Sequence, residues 1–566
     1  MNEYNFWDDK INKIVSEKGF LNIAHECLDS HLPDRRKQIA IRYIPSDWNL
    51  NKPEIKEMTF EDLFFFSCKF ANALKHLDFK KTDVLFSLSP RVPELYVVML
   101  GTLRMGMIFS PLFSAFGPDP IFNRMKVGKG KIIFSLASLF RKKVQPILNQ
   151  LPDLKKILLI DDDGSLKDIQ GAIDFHDLLK NSSQDFLLEK TLPDDVALLH
   201  FTSGTTGEPK GAVHVHKAVV YHSESGKEAL DLKPSDIFWC TADPGWVTGT
   251  SYGIISPLTL GATLLIDGGE FNPLRWYQIL SHFKINVWYT SPTALRMLMR
   301  AGEELTRQFD FLHVRFASCV GEALNSEVVK WVKLNLGILI HDNWWQTETG
   351  GIIICNDSQL AVRPGSMGKP LQNIEVQLIS EYTGDKIIFS KVGEKGEIAI
   401  KKGWPSMFVS YLNREDRYKK CFTGDWYLSG DLARQDEDGY FWFIGRKDDV
   451  IKTSGHLVGP FEIENVLMEH LSVLEAAVIG IPDPMIGEVI LGFVVLHKGI
   501  SPSHELLLDI LSLTRKKLGP AISPREIRFV QHLPKTRSGK VLRRLLKARE
   551  LGLPEGDTST LEVDYD

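Results

Sequence analysis

From about residue 80 onward, short aliphatic runs alternate with stretches of helical period, and this alternation limits the folds open to the chain. Asp83-Val84-Leu85-Phe86-Ser87-Leu88 reads as a strand. Pro93 then opens a helix with apolar positions at Leu95, Val98, Met99 and Leu103, and Ile108-Phe109 resumes an extended run. Ile132-Ile133-Phe134 and Ile157-Leu158-Leu159-Ile160 read as further strands. Strands interleaved with helices need crossover connections, so the expected class is α/β with largely parallel sheets. At 566 residues the chain exceeds what one hydrophobic core supports, and several domains or subdomains are expected.

The best boundary lies at Gly445-Arg446-Lys447-Asp448-Asp449, a charged junction without bulky apolar residues that suits a hinge. Before it, Asp436-Glu437-Asp438-Gly439-Tyr440 turns into an aromatic strand, Tyr440 to Ile444. After it come a helix (460–470), strands (476–481 and 491–496) and another helix (503–518), enough for a small α+β domain. The expected division is 1–446 and 447–566.

A formal charge of −5 gives no polybasic footprint, which argues against nucleic acid as a partner. The apolar stretch from Leu95 to Phe109 is interrupted by Arg104 and is too short to span a bilayer. The first ten residues lack the pattern of a signal peptide, and Val563-Asp564-Tyr565-Asp566 matches no lipidation or peroxisomal signal. Cys27, Cys68, Cys240, Cys319, Cys355 and Cys421 form no Cys-x-x-Cys pair and read as free thiols of a reducing compartment. A cytoplasmic protein without membrane attachment is expected.

Two segments carry chemistry. Thr202-Ser203-Gly204-Thr205-Thr206-Gly207-Glu208-Pro209-Lys210-Gly211 follows the apolar strand Val196 to Phe201. Its three glycines let consecutive N–H groups converge on an anion, its hydroxyls add donors and Lys210 adds a mobile charge. It grips phosphate, but it is not a Walker A loop, because Pro209 precedes the lysine and Gly211 follows it. The second segment is Trp344-Trp345-Gln346-Thr347-Glu348-Thr349-Gly350. Successive strand residues point to opposite faces, so one indole can stack on a flat ring while the other plugs a cavity. Glu348, among small hydroxyl residues, can reach a cation that bridges phosphate oxygens.

These two strings, with Tyr427-Leu428-Ser429-Gly430-Asp431, Gly445-Arg446-Lys447-Asp448-Asp449 and Pro534-Lys535-Thr536-Arg537-Ser538-Gly539-Lys540, occur in one order. Together they resemble the adenylate-forming acyl-CoA synthetases, over a span from about residue 20 to the end. The double tryptophan and the lysine tail are most similar to those members that act on acetate. The resemblance implies a large N-terminal domain of packed α/β subdomains and a small mobile C-terminal domain. It also implies two half-reactions. A carboxylate attacks the α-phosphorus of ATP and releases pyrophosphate, then the thiol of CoA attacks the acyl-adenylate.

By that resemblance Trp344 stacks on adenine, with Gly321, Glu322 and Ala323 on the other side of the base and Asp342, Asn343 and Gln346 beside it. Ala323 stands where the family usually has proline. Asp431 accepts from the ribose hydroxyls, and Arg446 reaches ribose or phosphate. Lys540, Thr202 and Thr347 act in catalysis with Glu348, which holds Mg²⁺; the loop residues Ser203, Gly204, Thr205, Thr206, Gly207 and Lys210 contact ATP. Val247, Thr248, Val320 and Trp345 wall the acyl pocket, and Trp345 limits chain length. Asp448 is the hinge, and rotation about it brings Ser454, Gly455 and His456 to form the CoA channel, with Arg515 as a further CoA contact. Lys540 is also a candidate for reversible acetylation by a protein acetyltransferase and deacetylase.

One position departs from the pattern. Better-known acetate-activating members have arginine after Ser-Gly-His, close to the phosphates, whereas this chain has Leu457. A leucine supplies neither charge nor donor, so His456 or Lys452 substitutes or pyrophosphate leaves a less positive site. The expected activity is AMP-forming ligation of acetate to CoA. Three alternatives stand beside it: another small acid such as propionate, a module that loads a carrier protein, and a non-catalytic nucleotide sensor.

Overall fold

The computed structural model describes residues 6–202, 209–383, 386–453, 456–485, 487–520, 522–536, 540–555, 558 and 561. Two of the sheets in this region are mainly parallel, as the interleaved strands and helices require. One runs, in spatial order, Ser410–Tyr411, Lys210–Val215, Val196–Thr202, Ile108–Leu112, Val84–Leu88, Ile132–Leu136, Lys156–Ile160 and Ala172–Asp174. All its neighbours are parallel from Val196–Thr202 to the far edge, and the two strands at the near edge are antiparallel.

The second parallel sheet centres on Ile340–Trp344, Phe316–Cys319, Val287–Thr290, Ile237–Cys240 and Thr263–Asp267. An N-terminal strand, Ile39–Ile44, joins it beside Thr263–Asp267 in parallel register. A third, antiparallel sheet contains Val376–Thr383, Lys395–Lys401, Trp426–Gln435 and Phe441–Arg446. The turn at 447–449 then leads to a separate small sheet, built on the long hairpin Val473–Asp483 and Gly487–Leu496. Helices Pro460–Met468, His504–Leu518 and Arg543–Leu551 accompany that sheet.

The helix Pro93–Arg104 shows how sequence becomes packing. Every residue in it except Glu94 is buried, because parallel sheets are covered on both faces. Arg104, which interrupts the apolar run, is buried with it, and its Nη2 lies 2.6 Å from Asp29 Oδ2. No helix among the described residues is long and apolar enough to cross a membrane. All six cysteines are free thiols.

Candidate active site

The strand Ile340–Trp344 ends at the first of the paired tryptophans, so the two indoles diverge at the edge of the sheet. Trp344 is buried and its Nε1 donates to Asp431 Oδ2 at 2.9 Å. Gln346 Nε2 donates to the same oxygen at 2.8 Å, and Arg446 Nη1 donates to Oδ1 at 2.9 Å. Asp431 and Arg446 are register partners on adjacent antiparallel strands, which is why they meet. The guanidinium expected on ribose or phosphate therefore pairs here with the carboxylate expected on ribose. Tyr427 completes the hub, its hydroxyl donating to Gln346 Oε1 at 2.9 Å.

Two cavities adjoin at this hub. The smaller, of about 230 Å³, is lined by Gly321, Glu322, Ala323, Asp342, Asn343 and Trp344, together with Asp431, Arg446 and Lys540. The Glu322 carboxylate is already committed, accepting from Thr293 N at 2.9 Å and pairing with Arg296 at 2.7 Å. Burial pushes the Asp342 carboxyl well above the ordinary aspartate range.

The larger cavity, of about 940 Å³, contains Thr202, Val247, Thr248, Val320, Trp345 and Thr347. Lys540, Trp345, Gln346, Gly321 and Glu322 line both spaces, so the lysine stands where they meet. Lys540 itself is open to solvent. Even so, the protein around its ammonium and the Arg446 charge lower its pKa, against Asp431 and Asp449, which raise it. The small domain is held over the cavities by Lys395–Glu462 at 3.7 Å, an Asn325–Asn465 hydrogen bond and the edge-on pair Phe443–Phe461.

The turn after the tryptophans is fixed from several directions. Gly350 has φ +68°, and a methyl there would sit 2.1 Å from the Ser406 carbonyl, so only glycine fits. His222 Nε2 donates to the Gly350 carbonyl at 2.8 Å, and Ser251 Oγ donates to it at 3.1 Å. His214 Nδ1 donates to Ser406 O at 3.0 Å. Glu348 Oε1 accepts from the Tyr411 hydroxyl at 2.6 Å, and Lys210 Nζ lies 5.6 Å from the Tyr411 ring centre. Glu348 and Lys210 therefore share a neighbour but line neither cavity.

Other expected residues fall elsewhere. Thr202 and Lys210 are register partners at the mouth of an antiparallel pair, whereas Ser203, Gly204, Thr205, Thr206 and Gly207 lie outside the described residues. So do Ser454, Gly455 and the side chains of His456 and Leu457. Asp448 is exposed in the turn between the last two sheets. Arg515, in the helix His504–Leu518, is exposed and touches neither cavity. Tyr411, Tyr289, Tyr252 and Arg296 were not singled out from sequence. They lie outside every motif string, and nothing in their local pattern marks them.

The histidines under this turn give the fold a pH dependence. Burial holds His214 and His222 down at about 4, and His200 and His216 are also lowered. The folded state then binds fewer protons than the unfolded chain below the ordinary histidine value, so stability is full above about pH 6.5 and falls towards pH 4. His214 and His222 each contribute a loss of about 3 kcal/mol across that window. Asp342, Asp243 and Glu228, raised by burial, act in the opposite sense but are outnumbered by the lowered histidines. The thermal midpoint should be lower at pH 5 than at pH 7.5, and a higher or equal midpoint would contradict this reading.

The chain belongs to the AMP-binding enzyme family, whose pattern matches residues 34–412; residues 462–540 match the C-terminal domain of AMP-binding enzymes. It is similar to the acetyl-coenzyme A synthetase of Bacillus subtilis, at 43% identity over 96% of this chain and 93% of that protein. The acetyl-coenzyme A synthetase of Methanothrix thermoacetophila is 36% identical over 96% of this chain and 85% of its own length. Among solved structures, an anthranilate CoA ligase in complex with anthranoyl-AMP superposes with a TM-score of 0.84 at 27% identity, covering 94% of this chain and 98% of that one. An acyl-CoA synthetase of Brucella canis gives 0.72 at 32% identity, covering 97% and 99%.

Proposed function

We propose that the chain is a cytoplasmic, AMP-forming acetate–CoA ligase. The observation that carries this is the meeting of two cavities at Lys540, with Trp344 lining the smaller and Trp345 lining both. In this reading adenine lies against Trp344, and ribose hydroxyls replace part of the Asp431 hub. An acetate oxygen attacks the α-phosphorus from the side of Val247, Thr248, Val320 and Trp345, and pyrophosphate leaves. Two anions approach each other, so positive charge and donors must be in place beforehand. Lys540, Thr202, Thr347, Lys210 and the backbone of 203–207 supply them.

Mg²⁺ suits the donor set. No group of three or more His, Cys, Asp or Glu that could cage a metal occurs among the described residues. A single carboxylate fits an ion that keeps several waters and binds through substrate phosphates. Glu348 would hold it, with Tyr411 fixing one carboxylate oxygen. The ion neutralises phosphate charge.

Residues 1–446 and 447–566 act as two bodies joined at Asp448. Rotation there withdraws Lys540 and presents Ser454, Gly455 and Arg515 to CoA. The thiol then attacks the acyl carbon, and AMP departs with the acetate oxygen. Acetylation of Lys540 by a protein acetyltransferase would remove the charge needed for the first step only.

The test is pyrophosphate release with acetate, propionate, butyrate and hexanoate, with and without CoA. Release with acetate, little with hexanoate and turnover dependent on CoA are expected. Acetate and propionate differ by one methylene, so they separate by only about 1–3 kcal/mol. Release with none of the acids would overturn the proposal in favour of a nucleotide sensor. CoA-independent transfer to a carrier protein would overturn it in favour of a loading module.

A further inference from the structure

An indole limits chain length only if it cannot swing aside, so what holds Trp345 matters as much as Trp345 itself. Its Nε1 donates to the Tyr289 hydroxyl at 3.2 Å. That hydroxyl donates in turn to Asn343 Oδ1 at 3.1 Å, Asn343 Nδ2 donates to Ser318 Oγ at 2.7 Å, and Ser318 Oγ donates to the His341 carbonyl at 3.1 Å. Tyr289, Asn343 and Ser318 are all buried, whereas Trp345 is only half-buried. The chain of bonds therefore runs from the half-buried indole into three neighbouring strands of the parallel sheet.

Ring packing acts in the same direction. Tyr252 and Trp345 meet edge to face at 5.2 Å between centres, and Tyr252 meets Tyr289 at 5.9 Å. Tyr252 sits in a π-helical turn, Ser251–Ile255, set between two short α-helical segments. Its hydroxyl accepts from Ile352 N at 2.7 Å and pairs with Ser225, so this ring is anchored as well.

We propose that Tyr289 is a specificity-determining positioning residue, whose hydroxyl fixes the tilt of Trp345 and thereby sets the longest acyl chain the pocket accepts. The inference rests on the reading of Trp345 as the wall of an acyl pocket. Tyr289 lines the same cavity, between Trp345 and the sheet. Removing its hydroxyl would leave the indole N–H and Asn343 Oδ1 without partners, and buried polar groups without partners relax towards any geometry that satisfies them. The indole is the least buried member of the chain, so it is the one that moves. Burial raises the phenol well above its ordinary pKa, so it remains a donor at neutral pH.

The experiment compares kcat/KM for acetate and butyrate in the parent, Tyr289→Phe, Trp345→Phe and the double variant. Tyr289→Phe should lower the acetate-to-butyrate ratio about tenfold, and in the Trp345→Phe background, which lacks the indole N–H, the same change should have little further effect. A purely structural role would lower both substrates together and leave the ratio alone. A ratio within twofold of the parent overturns the proposal, as does an equal fall in both backgrounds. Should Tyr289→Phe fail to fold, Ser318→Ala, two bonds further along, decides: a fall in the ratio supports the relay and an unchanged ratio overturns it. Trp345→Gly separates the two readings. If it leaves the acyl profile unchanged, the pocket assignment has failed; if it shifts the profile while Tyr289→Phe does not, only the relay has.

Discussion

Lys540→Ala should lower acyl-adenylate formation by about 10³-fold, the scale on which one preorganised charge or donor acts at a developing anion. The lysine is the described residue of the small domain that lines both cavities, and the other described cations of that domain at the smaller cavity, Lys535 and Arg543, are paired with Glu475 and Glu464 at 2.6 Å. Arg446, the adjacent cation, is tied to Asp431 at 2.9 Å. ATP–pyrophosphate exchange reads this step alone. Thioester formation from preformed acetyl-adenylate should stay within about threefold of the parent, because the proposed rotation removes Lys540 before the thiol attacks. Equal loss in both half-reactions would show that the lysine supports the fold or the second step, and would contradict its assignment.

Trp345→Gly should reverse the order of acids. In the proposed pocket the indole closes the space beside Val247, Thr248 and Val320; without it the cavity would extend towards Tyr252, whose ring packs against it. Acetate should lose about 10²-fold in kcat/KM through lost contact and poorer orientation, and hexanoate should become the better substrate. Trp345 is half-buried, so the loss of stability should fall below the roughly 3–5 kcal/mol typical of a fully buried tryptophan. Measuring kcat/KM across four acids checks the reversal. An unchanged profile would remove Trp345 from the pocket.

Periodicity made the elements legible. The strand expected at 83–88 is Val84–Leu88, the helix opened by Pro93 runs to Arg104, and the aromatic strand before the junction is Phe441–Arg446. These segments carry strong local patterns whose period survives tertiary packing. The strand Ile39–Ile44 belongs to the second parallel sheet only through Thr263–Asp267, more than two hundred residues away, and no local pattern announces that pairing. The motif strings also identified Trp344, Gln346, Asp431 and Arg446 as site candidates. They did not reveal that three of these side chains bond to the fourth, Asp431, because that follows from register between two strands and the edge of another sheet. Tyr289, Tyr252 and Tyr411 were silent for the same reason: each matters through the group its hydroxyl or ring reaches.

The central claim is a carboxylate attacking the α-phosphorus before CoA reacts, and isotope transfer reads it directly. Acetate labelled with ¹⁸O on both oxygens, incubated with the full chain, Mg²⁺, ATP and CoA, should give acetyl-CoA with AMP in equal amounts. Each AMP should carry one ¹⁸O in its phosphate, since the attacking oxygen stays on phosphorus when the thiol displaces AMP. ADP as the nucleotide product, or AMP without label, would contradict the account.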